Sequence, residues 1–347
     1  MIEIENISKN LGEFFLRDVS FNIRDGEYFM ILGPTGAGKT ILLETIAGIY
    51  RPDKGKILMA GKDITYIPPK DRNISMVYQD YMLFPHLNVE QNIAFGLKLK
   101  KTPKEKIKNK VEKNSKLLNI YHLLHRYPST LSGGEKQRIA IVRAMVIEPY
   151  ALLLDEPLSA LDTQTRDRLR QELKRIHSIT KMTIVHVTHN FEEIFSLADR
   201  VAVMNEGKII QVGSPDDIFR KPNSEFVANF VGVENLFKGK SIVKNGSAHI
   251  NIDGIDIFST NQKSGDAFIS IRPEEILISK QPFKSSARNS LKGEIARIIN
   301  SGATAKVTVD VGIPFNVMIT RQSLENMELK EGTTAYITFK ASAVHIF

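Results

Sequence analysis

The sequence predicts an α/β domain built on a mainly parallel sheet, followed by a small all-β domain. Three observations predict it. From residue 131 onward, apolar strand-like runs alternate with helical periodicity (152–154, 166–179, 183–187), the pattern of strands joined by helical crossovers. A glycine-rich loop at 33–40 lies between an apolar run and a helix start. Past Phe230-Val231-Gly232 the texture turns to short alternating runs of Ile, Val, Thr and Ser, which argue for a small barrel or sandwich.

These observations divide the chain into residues 1–232, with a helical lobe at about 85–150, and residues 233–347. Within the first part, short strands are expected at 2–7, 14–15, 19–23 and 28–32, separated by turn residues such as Asp25-Gly26. A helix should open at Thr40 and end at Gly48, and a hairpin-like stretch follows at 55–59 and 75–78. In the second part, Ala267-Phe-Ile-Ser-Ile-Arg272-Pro-Glu-Glu-Ile-Leu-Ile278 and Ala335-Tyr-Ile-Thr-Phe-Lys340-Ala-Ser-Ala-Val-His-Ile346 share one plan. Each reads as a strand, a basic residue, a short turn and a second strand, which predicts an internal duplication.

Composition narrows the classes. The 347 residues leave room for two or three cores, and the absence of cysteine excludes disulfides and thiolate metal sites. The opening Met-Ile-Glu-Ile-Glu-Asn lacks the basic and apolar regions of a signal peptide. No run approaches the roughly 18 apolar residues of a membrane span. The net charge of +8 sits almost wholly between Lys98 and Lys116, where nine lysines face Glu105 and Glu112. With Ile107, Val111, Leu117 and Leu118 at helical spacing, this segment reads as an amphipathic helix with a solvated lysine face. No aromatic residues interleave for base stacking, so no nucleic-acid partner is expected.

The chemistry begins at Gly33-Pro34-Thr35-Gly36-Ala37-Gly38-Lys39-Thr40, a phosphate-binding loop between strand and helix. Its glycines let backbone N–H groups face phosphate oxygens, Lys39 neutralises phosphate charge, and Thr40 offers a hydroxyl to Mg²⁺. Ala151-Leu-Leu-Leu-Asp155-Glu156 is an apolar strand ending in two acids. Asp155 would hold Mg²⁺, and Glu156 is the candidate base that polarises an attacking water. Ser132-Gly133-Gly134 opens a second helix, with Ser132 as candidate N-cap.

The order of these motifs, from residue 1 to about 235, resembles the ATPase subunits of ATP-binding-cassette (ABC) transporters. The resemblance implies ATP and Mg²⁺ as cofactors and gives further residues a role. Gln79 would contact Mg²⁺ and the attacking water. His189, in Val187-Thr-His-Asn190, would be a switch histidine that holds the water and Glu156 in register. Ser132, Gly133 and Gly134 would close on the nucleotide of a partner subunit, and Ser159-Ala-Leu-Asp162 would cross that interface. A homodimer is therefore implied, working with two integral membrane permease subunits and an extracytoplasmic binding protein, peripheral to the cytoplasmic face of the membrane. One departure stands out: where the family stacks adenine on an aromatic residue, Leu11 precedes Gly12, leaving Phe14 or Phe15 to shift in, or an aliphatic rest for the base.

The segments Asn73-Ile-Ser-Met-Val-Tyr-Gln-Asp80, Leu83-Phe-Pro-His86 and Gln211-Val-Gly-Ser-Pro215 resemble the branch that serves binding-protein-dependent importers. The second part, an OB-like barrel in this reading, resembles small molybdate-binding domains through Ser286-Ala-Arg288-Asn289 and Lys340-Ala-Ser342. Ser286, Arg288, Asn289, Lys340 and Ser342 are thus the candidate oxyanion group, offering cations and hydroxyls to a tetrahedral dianion. The reading implied is the ATPase of a molybdate or tungstate importer with an oxyanion-sensing domain. The alternatives are a sulfate, polyamine or sugar importer with a structural barrel, a soluble ABC ATPase outside transport, and an oxyanion store whose ATPase is incidental.

Overall fold

Apolar residues at Ile2, Ile4 and Ile7 put one face of β1 (Ile2–Asn10) into the core, in a computed structural model that describes residues 1–244 and 246–347. A register shift between Ile4 and Ile7 keeps the third isoleucine on that face. β1 pairs antiparallel with β2 (Phe15–Ile23) and with β4 (Lys54–Met59), which carries β5 (Lys62–Asp63). The second sheet has six strands in the order β10-β9-β3-β8-β7-β6. In it β3 (Tyr28–Leu32), β6 (Ile74–Val77), β7 (Ala151–Asp155), β8 (Thr183–Thr188) and β9 (Arg200–Asn205) run parallel. β10 (Lys208–Gly213) returns antiparallel along β9. β3, β7 and β8 are buried along their whole length, as central strands covered on both faces must be.

One expectation is corrected here. The segment at 75–78 does not complete a hairpin with 55–59; β6 instead joins the parallel sheet beside β7. Its buried Ser75 and Val77 serve that sheet, and β4 finds its partner in β1.

α1 (Lys39–Ala47) packs Leu42, Leu43 and Ile46 into a single core shared by both sheets. Its C-terminal carbonyls are met by a buried arginine. Arg72 donates to Thr45 O (3.0 Å), Ile46 O (2.8 Å), Thr65 O (2.7 Å) and Ile67 O (2.7 Å). Burial pulls the guanidinium down to about 10, so it stays charged at neutral pH. The helical lobe contains α2 (Val89–Leu99), α3 (Lys104–Leu117) and α4 (Gly133–Met145). α3 buries only Val111 and Ser115, and its lysines lie on the solvated face as expected. α5 (Thr163–Thr180) and α6 (Phe191–Leu197) flank the parallel sheet.

The chain divides into the units Met1–Pro215 and Asp216–Phe347. That division lies upstream of the expected boundary at 232. α7 (Pro215–Arg220) and α8 (Glu225–Phe230) therefore go largely with the second unit. Arg272 donates to the carbonyl of Phe219, and His345 Nε2 lies 2.9 Å from Pro222 O. Burial holds His345 below the usual histidine range, so its neutral ring donates through Nε2–H.

The second unit consists of two five-stranded antiparallel sheets around one core. β11 (Asn235–Lys244), β12 (Ser247–Ile252), β13 (Ile255–Ser259) and β14 (Gly265–Ile271) form most of the first sheet. β15 (Leu277–Ser279), β16 (Asn289–Ser301), β17 (Thr304–Asp310), β18 (Pro314–Thr320) and β19 (Thr334–Phe339) form the second, with α9 (Arg321–Asn326) after β18. β20 (His345–Ile346) closes the first sheet. The two similar segments are each strand, 3₁₀ turn and strand, and they cross: β14 pairs with β20, and β15 pairs with β19.

Candidate active site

Residues 33–38 leave the buried end of β3 and turn directly into α1. Glycine is required there by close approach. A Cβ at Gly33 would lie 2.2 Å from Met204 O, and one at Gly38, where φ is 97°, would lie 2.3 Å from the Phe14 ring. Gly38 offers no side-chain cap to α1, so the first-turn N–H groups remain available to an anion. Lys39 is buried and donates to the loop's own carbonyls, Gly33 O at 2.8 Å and Pro34 O at 2.9 Å. Burial pulls its ammonium below the ordinary lysine value, while the charges of Glu156 and Asp155 oppose that fall.

Asp155 ends β7 opposite the start of α1, and the Thr40 hydroxyl donates to its Oδ1 at 3.1 Å. Burial pushes the Asp155 carboxyl up; the Thr40 bond opposes this and the charge of Glu156 adds to it. Glu156 follows in the left-handed region at φ 44°, an uncommon place for a non-glycine residue and a common one for functional groups. The turn is held by Glu156 N–H on Val187 O (3.0 Å) and by the Ser159 hydroxyl on Glu156 O (2.8 Å). This orientation sends the Glu156 carboxylate to His189, whose Nδ1 lies 3.2 Å from Oε1. A cavity of about 330 Å³ brings Phe14, Thr35, Gly36, Lys39, Thr40 and Glu156 together.

The remaining candidates lie elsewhere on this unit. Gln79 follows β6 in an exposed turn. The two residues after Asp80, Tyr81 (φ 61°) and Met82 (φ 45°), are both left-handed, and Arg143 of α4 donates to their carbonyls at 3.2 and 2.8 Å. Ser132 caps α4: its hydroxyl accepts from Glu135 N (3.4 Å) and the Glu135 carboxylate accepts from Ser132 N (2.7 Å). Ser132 and Gly133 are exposed, whereas Gly134 is buried where a Cβ would meet Thr165 at 2.5 Å. Asp162 is also exposed and caps α5, accepting from Thr165 N at 3.0 Å. Between the two phenylalanines, Phe14 touches the phosphate loop, while Phe15 is 40% exposed beneath Arg17.

In the C-terminal unit, Ser286, Lys340 and Ser342 line one cavity of about 330 Å³. The expected group of five is split, however. Arg288 donates to Ser247 Oγ at 3.0 Å and stacks 4.7 Å above Phe258. Asn289 is buried and exchanges two hydrogen bonds with the Phe258 backbone, at 2.7 and 3.0 Å. Asn289 thus spends its amide in joining strands, as a buried polar group must, whereas Arg288 is exposed and lies outside the cavity lined by Ser286, Lys340 and Ser342.

Comparison with known proteins accords with this arrangement. The ABC transporter family model matches residues 16–159 and the TOBE domain model matches residues 285–346. The molybdate/tungstate import ATP-binding protein of Pyrococcus horikoshii is 48% identical over the full length of both chains. The spermidine/putrescine import ATP-binding protein of a Nostoc species is 41% identical over 91% of this chain and 86% of its own. Among solved structures, a dimeric ATP-binding cassette in a post-hydrolysis state, bound to ADP and Pi, is 27% identical with a TM-score of 0.55, covering 62% of this chain and 99% of that one. The phosphate loop, the Asp155-Glu156 strand end and the TOBE barrel thus stand in a chain that belongs to the ABC transporter family, as an ATPase subunit.

Proposed function

We propose that this subunit powers import of molybdate or tungstate through a membrane permease fed by an extracytoplasmic binding protein. The observation that carries the cargo is the 48% identity to a molybdate/tungstate import ATP-binding protein along both chains, barrel included. The polyamine importer subunit, at 41% over less of each chain, is the weaker match. Among the described residues no helix is long and apolar enough to cross a membrane, so partner subunits would supply the spans.

The chemistry follows from the first unit. The α1 N-terminus and Lys39 hold the phosphates, and Lys39 exchanges its loop carbonyls for phosphate oxygens. Thr40 and Asp155 present hard oxygen donors 3.1 Å apart, a set that fits Mg²⁺ completed by water and phosphate oxygen. Mg²⁺ there would draw charge from the β- and γ-phosphates as the bond between them breaks. Glu156 takes the proton of the attacking water, and His189 holds the carboxylate in place through its 3.2 Å contact. Phe14 is the side chain beside the loop that offers adenine a ring face. Ser132, Gly133 and Asp162 are exposed and Gly134 is buried beside Thr165. That loop and Asp162 act when a second copy of the chain closes on this surface, and the exposed Gln79 would contact Mg²⁺ and the attacking water. Replacement Glu156→Gln is expected to lower turnover at least about 100-fold while nucleotide affinity holds; retained turnover would move the base elsewhere.

Ser286, Lys340 and Ser342 are the part of the oxyanion group that shares a cavity. Binding there would inhibit transport if the bound form disfavours closure of the ATPase units. Calorimetric titration of the full chain with molybdate, tungstate, sulfate and phosphate tests the cargo. Saturable heat from the first two alone supports it, and heat from sulfate alone, or from none, returns the cargo to the alternatives.

A further inference from the structure

Beneath the Glu156–His189 pair lies a buried polar group that the hydrolytic chemistry leaves unused. His186, on β8, is fully buried, and among the described residues its ring faces two partners. The Tyr28 hydroxyl lies 2.9 Å from Nδ1, and Glu193 Oε2 lies 3.3 Å from Nε2. Tyr28 is buried on β3, and Glu193, on the first turn of α6, is only 3% exposed. The Nε2 contact is off the direction of a good hydrogen bond, and no other acceptor serves that nitrogen among the described residues.

The protonation pattern is set by the partners. Burial pushes the Glu193 carboxyl up, but the contacts to His186 and Thr188 and the charge of Arg166 outweigh it and hold it below the ordinary glutamate range. Burial and the Glu193 charge drive the Tyr28 phenol well above its ordinary value, so it keeps its proton. With Tyr28 donating to Nδ1, the imidazole turns its Nε2–H toward Glu193.

The position of this group in the chain gives it a task. Between His186 and Glu193 runs the turn from β8 into α6, and that turn carries His189. On the strand side, His186 is held in register opposite Leu154, one residue before Asp155. On the helix side, the Asn190 carbonyl oxygen of the side chain accepts from Glu192 N at 2.8 Å, and Asn190 N donates to the Thr188 hydroxyl at 3.0 Å. Buried Ile194 and Leu197 fix how deeply α6 sits. Non-directional packing leaves rotation of the helix about its axis weakly set, and the 3.3 Å approach of Glu193 to His186 Nε2 adds a polar constraint to those of Asn190 and Thr188. Glu192 on the same turn is 76% exposed, so its pair with Arg170 of α5 adds little.

We infer that His186 is a positioning residue, which through Glu193 locks the first turn of α6 so that His189 meets Glu156. The inference rests on the switch role proposed above for His189. It assigns function to a buried pair that does not line the phosphate-loop cavity.

The test is steady-state ATP hydrolysis by the full-length chain, with kcat and KM measured separately. The double variant His186→Phe/Glu193→Leu replaces the pair by apolar groups of similar bulk and leaves no buried charge unpaired. Its kcat should fall about 10-fold while KM for ATP stays within about twofold, because the phosphate loop is untouched. Glu193→Gln keeps an acceptor for Nε2–H and should retain kcat within about threefold. Val185→Ala, a neighbouring core deletion on β8, is the control: it should lower the melting temperature and leave kcat alone. If the double variant melts below the assay temperature, Thr188→Val replaces it, with an expected loss of about threefold in kcat at constant KM. Wild-type kcat in the double variant, alongside a large loss in His189→Ala, overturns the positioning role only. An inert His189→Ala overturns the switch role and the inference together. Equal loss of kcat in Val185→Ala and the double variant reduces the pair to general stability and also overturns it.

Discussion

At the scale of single residues, the site is a set of groups held in states that the isolated fold does not favour. Asp155 is the clearest. Its folded pKa is raised above the ordinary 3.8, first by burial. A carboxyl raised in this way contributes stability below its unfolded value, and loses it as pH rises through the folded one. At neutral pH its charge therefore weakens the nucleotide-free fold. Asp155→Asn should raise the thermal midpoint at pH 7 by about 2–4 °C and abolish Mg²⁺-dependent turnover. Calorimetry across pH should show the gain shrinking toward the ordinary value, and an unchanged midpoint at pH 7 would argue against the cost. Phe14 yields a second prediction. Phe14→Ala should raise KM for ATP about 10-fold with little change in kcat, whereas Phe15→Ala should leave both alone; kinetics on the two variants decides it. The phosphate loop was legible in the sequence because its demands are local: glycines, a lysine and a hydroxyl within eight residues. Phe14 was not separable from Phe15, because its place beside Gly38 depends on how two sheets pack. His186 and Glu193 left a signal that only a strand-by-strand reading finds, two polar residues on either side of a short turn, one of them inside an otherwise apolar run.

At the scale of elements, α1 and the strand ends do the aiming. The helix starts at the phosphate loop and stops at Gly48, which is left-handed at φ 87°. Arg72 meets its end, joining the carbonyls of Thr45 and Ile46 to those of Thr65 and Ile67. Arg72→Met should cost about 3 kcal/mol, since four carbonyls then lose a charged donor in a buried place. Chemical denaturation measures it, and a loss under about 1 kcal/mol would show that water replaces the guanidinium. The sequence shows nothing of this role, because an arginine in a proline-flanked loop reads as surface. The hairpin expected at 75–78 failed for a related reason. Alternation identifies a strand and says nothing of its neighbour, and β6 found β7 across the whole helical lobe. Central strands fared better, because a parallel strand buried on both faces reads as a near-continuous apolar run.

At the scale of the whole molecule, the exposed Ser132, Gly133 and Asp162 belong to the proposed dimer, in which a second copy completes each nucleotide site. Specific ATPase activity should therefore rise with protein concentration and level off as dimers fill. Activity that is strictly proportional to concentration down to nanomolar protein would deny the dimer requirement. The change in texture past 232 falls where the strands of the second unit begin, at β11, while the units themselves divide after Pro215. The grouping of α7 and α8 with the barrel was not legible in the sequence, because it depends on Arg272 and His345, far along the chain.

The crossed pairing of the two similar segments also dictates an order of events. The sheet begun at β11 is completed only when β20 docks on β14, and β15 must wait for β19. A ribosome delivers these partners late, after the entire ATPase unit has emerged. During synthesis the nucleotide-binding half can therefore mature first, while the barrel stays open at both edges until residues 334–346 arrive. A nascent chain interrupted between the two segments would carry a finished phosphate loop and two unpaired strand edges, a species prone to associate through those edges rather than through its nucleotide.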